Sequence, residues 1–381
     1  MPHRVIACAL SLSLVACSAA DDVSAQAADP VIVAATQTFS VEEVATFNEP
    51  WAMTFLPDGR ALITEMSGTM QLWSADQPPV AVSGIPAVDY GGQGGLGDVV
   101  LHPAFSENGL VYFSYIEAGD DDTRGAVVAR GILVVAGDDS VSLNDVEVIW
   151  RQAPKVEGRG HYSHRIAFSS DGYLFIASGD RQAMEPAQDT SNTLGTIVRL
   201  NDGGSVPDGN PMDGEASAET AQIWSYGHRN ILGLAFAPDG ELWDMEHGPA
   251  GGDELNRVEP GINYGWPVVS NGEHYDGTDI PDHDTDTSFR APAIWWTPVI
   301  APGGMIFYTG DMFPDLHGDV LIAGLSSNAI IHVEIDGDAA REAGRFTFDN
   351  RIREIEQGPD GTIWILEDGE EGRMIRLTAG G

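Results

Sequence analysis

The feature that most constrains this chain is a pattern that returns along its whole length. "FLPDGRALITE" (residues 55–65), "FSSDGYLFIASGD" (168–180), "FAPDGELWDMEHG" (236–248) and "GPDGTIWILED" (358–368) follow one plan. An apolar residue or glycine leads into Asp-Gly, and an alternating apolar run follows. Asp-Gly supplies the positive φ angles of a tight turn, and a period of two marks a strand with two distinct faces. "FSENGLVYFSYI" and "FPDLHGDVLIAGL" are weaker copies. The turn glycines then fall at 59, 109, 172, 240, 318 and 361, at intervals of 50, 63, 68, 78 and 43 residues. Six strand-rich units, abundant glycine and few helix signals predict an all-β fold, a six-bladed β-propeller. The stretch from Thr38 to Ala45 is expected to complete the blade that holds the C-terminus, because a ring closes only where its two ends meet. In such a ring, functional residues are scattered in sequence and gather at one mouth of the central channel.

The organisation outside the ring is short. Residues 1–17 read as an export signal: a basic start, an apolar stretch too short to span a membrane, and "LVAC" ending at Cys17. That ending resembles a bacterial lipobox, so the expectation is an exported protein of the periplasm or outer membrane, lipid-anchored through Cys17. Residues 18–35 read as a polar tether and 36–381 as the propeller. Cys8, the other cysteine, lies inside the signal, so the mature chain has no intramolecular disulfide and depends on its apolar core.

Charge narrows the partners. With 58 acidic and 19 basic residues the chain carries a formal net charge of −39, and Lys155 is its one lysine. Nucleic acid is excluded as a partner, and a membrane could be met only through a lipid anchor. Against this background, clustered arginines need a reason, and an anionic ligand supplies one. "GRGHYSHRIAF" (158–168) holds two histidines and two arginines. A pair of histidines three apart could suggest a metal site, but on a strand the two point to opposite faces. "GGQGGLG" (91–97) lets backbone approach a ligand closely. "YGHRN" (226–230), "EHGPAGGDELN" (246–256) and "NRIREI" (350–355) add arginines and turn carbonyls.

Together with "AQDTSNTLGTIVRLN", "NYGWP" and "APGGMIFYTGDMFP", these stretches resemble the soluble quinoprotein glucose dehydrogenases and, more closely, the bacterial aldose sugar dehydrogenases. The resemblance runs from Phe39 to Leu377. It implies a six-bladed propeller that uses pyrroloquinoline quinone (PQQ) and Ca2+ to oxidise an aldose sugar at C1 to a lactone, passing electrons to an external acceptor such as a quinone, cytochrome or dye. By that resemblance His161 is the base that takes the anomeric hydroxyl proton as hydride leaves for C5 of PQQ, and Asp180 orients it. Arg229 stabilises negative charge at the cofactor, with Asn230 and Gln93 beside it. Arg351 and Arg353 hold cofactor carboxylates. Gly248 and Pro249 offer backbone carbonyls to the catalytic calcium, and Glu254 and Tyr264 mark a second calcium. Two departures stand out. Ser326 or Ser327 occupies the place of a family lysine, and His164 replaces a small residue, either reaching the pocket rim or facing solvent. The residues alone leave two other readings open, a calcium-dependent propeller lactonase or hydrolase and a non-catalytic surface binding propeller, because fold does not choose a function.

Overall fold

The computed structural model describes residues 38–380 except 76, 138–139 and 215–216, together with a two-residue strand, Gln26–Ala27. The expected signal at 1–17 and most of the tether at 18–35 lie outside the described residues. The turns of the four strong copies are built the same way. Leu56 N–H donates to Arg60 O and Gly59 N–H to Leu56 O, and the same two bonds recur at Ser169/Gly172/Tyr173, Ala237/Gly240/Glu241 and Gly358/Gly361/Thr362. All six turn glycines have φ between 66° and 93°, the left-handed region a Cβ disfavours.

The strands form antiparallel meanders in five sheets among the described residues. One sheet has eight strands. It consists of two four-stranded meanders, Pro50–Phe55 to Gln77–Ser83 and Leu96–Leu101 to Val141–Arg151, joined where Val141 and Ser142 run parallel to Val82 and Ser83. The strands Pro50–Phe55, Leu96–Leu101, Ser163–Phe168, Ile231–Phe236, Pro302–Phe307 and Ile352–Gln357 pack side by side in chain order, and the last packs against the first. The result is a propeller-like ring. Its closure is mixed in sequence: Phe39–Phe47 pairs antiparallel with Gly372–Ala379, so the first long strand and the last share one sheet.

Alternation holds the sheets together. In Val320–Gly324, Val320 and Ile322 face the apolar layer that contains Trp243, Met245 and Trp296. Leu321 and Ala323 face the opposite layer, with Ile355, Ile363 and Ile375. Every residue of this strand is buried, as expected of a blade sandwiched between neighbours.

At the axis one guanidinium touches all six innermost strands. Arg165 donates to Leu232 O (2.7 Å), to Asp98 (3.2 Å), to Gly303 O and to Glu354, and lies 4.2 Å from the centre of the Trp51 ring. It borders a cavity of about 170 Å³ that Asp98, Glu354 and Glu356 also line. Burial pushes the Glu354 carboxyl up to about 7, against the pull of Arg165.

Candidate active site

The site begins where the chain leaves regular strand geometry. His161, Ser163 and His164 all have positive φ (46°, 58° and 58°), so the segment turns before it settles into Ser163–Phe168. Across from it, Leu174–Ser178 ends at Gly179, where a Cβ would stand 2.0 Å from His161 O. That close approach delivers Asp180 to the imidazole. His161 Nδ1 lies 2.7 Å from Asp180 Oδ1, and Asp180 is wholly buried. With Nδ1–H given to the carboxylate, Nε2 is the nitrogen that carries the lone pair. Asp180 Oδ1 also accepts Gln182 N–H (2.8 Å), Oδ2 accepts Trp266 Nε1–H (2.7 Å), and its own N–H donates to Arg229 O.

Gln93 stands on the other side of the histidine. Its Oε1 accepts His161 N–H at 2.7 Å, and its own N–H donates to Arg159 O. The glycine loop makes this possible, since a Cβ on Gly92 would lie 2.5 Å from Arg159 O. Arg229 follows Ile223–Tyr226 and is buried. Its N–H donates to Glu246 Oε2 (2.6 Å), and its guanidinium reaches His247 O (3.1 Å) and the Tyr275 hydroxyl (3.3 Å). Arg229 Nε is buried and has no hydrogen-bond partner. A charged donor left open inside a protein suits an anionic or carbonyl oxygen from a ligand. Asn230 Oδ1 accepts from Ser163 Oγ at 3.4 Å, next to the same segment. His161, Asp180, Gln93, Arg229 and Asn230 therefore come together.

The carbonyl turn fits a hard cation. A Cβ on Gly248 would lie 2.2 Å from Gly251 O and 2.3 Å from Gly252 O, so backbone oxygens crowd around this glycine. Asp253 Oδ1 holds Gly248 N–H (2.9 Å), Asp253 Oδ2 accepts Ala301 N–H, and burial raises the Asp253 carboxyl to about 6. Pro249 follows in the same turn. Gly248, Arg229, Glu246, Glu254, Tyr264 and Trp266 line one small cavity. The Tyr264 hydroxyl is already committed, donating to Arg257 O and accepting Glu259 N–H, and Glu254 pairs with buried His283 at 3.2 Å.

Arg351 and Arg353 lie together but are not free. Both bond Asp368, Arg351 at 2.8 Å and Arg353 at 2.7 Å. Ser326 Oγ donates to Val299 O, and Ser327 Oγ is buried without a partner. The expectation for His164 is corrected. It neither reaches a rim nor faces solvent: it is 2% exposed, bonded to Ser114 Oγ (2.8 Å) and stacked on Trp51 at 4.9 Å. Burial, with Arg165 next door, lowers its pKa to about 3, which keeps it neutral. The two histidines of the motif thus serve separate structures, although the segment that carries them turns.

Four residues of the site escaped sequence reasoning. Trp266 sat inside the quoted "NYGWP", but nothing in the letters tied it to Asp180. Glu246, His247 and Tyr275 surround Arg229. Glu246 also pairs with His228 Nδ1 (3.1 Å), whose ring stacks on Tyr264. His247 is held neutral by burial and by Arg229, with its pKa lowered to about 3, and donates Nε2–H to Pro302 O.

Residues 47–376 match the family model described as glucose/sorbosone dehydrogenase. The chain belongs to this family. It is 39% identical to the aldose sugar dehydrogenase YliI of Escherichia coli over 353 residues, 91% of this chain and 94% of the relative. The apo-form crystal structure of the soluble aldose sugar dehydrogenase from Escherichia coli superposes with a TM-score of 0.85 at 38% identity, covering 90% of this chain and all of that one. A PQQ-bound aldose sugar dehydrogenase from Streptomyces coelicolor superposes with a TM-score of 0.74 at 26% identity, covering 90% of this chain and 99% of that one. As a member of the glucose/sorbosone dehydrogenase family, the protein is an oxidoreductase.

Proposed function

We propose that the protein oxidises aldose sugars at C1 to lactones with PQQ and Ca2+, and hands the electrons to an external acceptor. The observation that carries this reading is the His161–Asp180 pair beside a buried arginine whose Nε is open. When bound, PQQ supplies a hydride acceptor and calcium a Lewis acid that polarises it. His161 Nε2 accepts the proton of the anomeric hydroxyl. Asp180 keeps the other ring nitrogen protonated and steadies the imidazolium that forms. Arg229 places a fixed positive charge where negative charge accumulates, inside a buried site where it acts strongly. Gln93 holds the backbone of the base and, with Asn230, would contact the cofactor; Gly248 and Pro249 would hold the metal through carbonyls. Arg351 and Arg353 would hold the cofactor carboxylates while sharing Asp368.

Counting the eight-stranded sheet as two blades makes the ring six-bladed, which agrees with the six turn glycines. Residues 36–381 are the catalytic unit in this reading. Residues 1–17 direct export, and 18–35 tether the propeller to a lipid on Cys17 in the periplasm or outer membrane. The purified apoprotein, given PQQ and CaCl2, is expected to reduce a dye when aldoses are added and to need both additions. A protein that takes up the quinone yet reduces no dye with any aldose sinks the proposal.

A further inference from the structure

We propose that Trp266 is a positioning residue that couples the base to the arginine, an inference that rests on the sugar oxidation proposed above. Of the two Asp180 oxygens, Oδ1 serves His161 Nδ1–H and Gln182 N–H, while Oδ2 accepts the Trp266 indole N–H at 2.7 Å. A carboxylate held at one oxygen can still turn about its Cβ–Cγ bond. The indole bond stops that rotation, and so sets the line along which Asp180 meets His161. Strong bonds of this kind act through direction as much as through energy.

The same ring carries the arginine. The Arg229 guanidinium lies 5.1 Å from the centre of the Trp266 ring, the distance of a cation over an aromatic face. Trp266 is itself immobile: it is 7% exposed, its backbone N–H donates to Gly227 O (2.9 Å), and its carbonyl accepts Gln188 Nε2–H (2.7 Å). Its edge fixes the residue that aims the base, and its face fixes the guanidinium. Packing against Ala187 and Ile280 would need only the ring. The N–H aimed at a buried carboxylate needs an indole.

Trp266→Phe keeps a ring and removes the N–H. It is expected to lower kcat about tenfold, with the sugar KM and the PQQ Kd within about two-fold of wild type. In an Asp180→Ala background the same change is expected to cost nothing further, because the carboxylate that accepts the bond is gone. Trp266→Leu loses the face as well, and is expected to weaken PQQ binding about tenfold, as cofactor titration would read. In the apoprotein, long-range 1H–15N correlation should find His161 as the Nδ1–H tautomer in wild type and as a mixture in Trp266→Phe. If the Phe variant does not fold, benzothienylalanine at 266, which replaces the N–H by sulfur in the same ring shape, is expected to give the same losses. A Trp266→Phe enzyme that turns over as wild type, an equal loss in the Asp180→Ala background, or an unchanged tautomer overturns the proposal. If the wild type oxidises no sugar, the proposed function fails on its own, and the tautomer measurement still decides the role of Trp266.

Discussion

His161 and His164 are three residues apart, similarly buried and chemically identical, yet only His161 has the partners that the proposed base requires. The difference is in their partners. Asp180 fixes the first ring by its Nδ1 and leaves Nε2 available, whereas Ser114 and Trp51 enclose the second. His161→Gln is therefore expected to lower kcat by about 10²–10⁴, the usual contribution of a general base, while PQQ binding measured by titration is retained. That His161, Asp180 and Arg229 lie together was anticipated through the resemblance to the sugar dehydrogenases, whose motifs carry all three. The bond of both C-terminal arginines to Asp368 was not, since ion-pair partners are chosen by folding and leave no mark in local sequence. Trp266 was missed for a related reason: an indole in an apolar segment reads as core until a buried carboxylate is found at its N–H.

At the scale of the element, the glycines divide into two kinds. Those in the repeated turns are needed for their backbone angle. Gly240, with φ at 93° and nothing within 4 Å of a Cβ, is one. Gly240→Ala is expected to cost about 1 kcal/mol, read from the urea midpoint. Gly97 is needed for space: a Cβ there would lie 1.9 Å from His164 Cε1, inside the core. Gly97→Ala is expected to cost more than the turn substitution in the same measurement, since the clash falls on a stacked, hydrogen-bonded ring. The turns were readable because Asp-Gly followed by alternation states its own geometry. The left-handed start of "HYSHR" was not, because non-glycine residues at positive φ carry no signature and are held there by the surrounding contacts.

Across the whole molecule, ring closure by Phe39–Phe47 was legible, and the axial role of Arg165 was not. Arg165 stood in the same motif as the base and looked like part of one basic patch. Replacing it by Met leaves Asp98 and Glu354 buried without their cation, and is expected to cost about 3–5 kcal/mol in chemical denaturation. Glu354 also makes stability depend on pH. Its native pKa, about 7, lies above that of an unfolded glutamate, so the native state binds the proton more tightly. That contribution is complete below the unfolded pKa and is lost as pH rises through 7. Between pH 5 and pH 8 the Glu354→Gln protein is expected to lose less stability than wild type, by on the order of 2 kcal/mol, in parallel urea titrations. The closing sheet has a consequence of its own, in time. Phe39–Phe47 is made long before its partner Gly372–Ala379, with the rest of the ring between them. An open strand edge therefore accompanies the growing chain through nearly all of its synthesis, and such an edge invites pairing with other chains. That edge finds its own partner only when the eight residues of Gly372–Ala379 arrive.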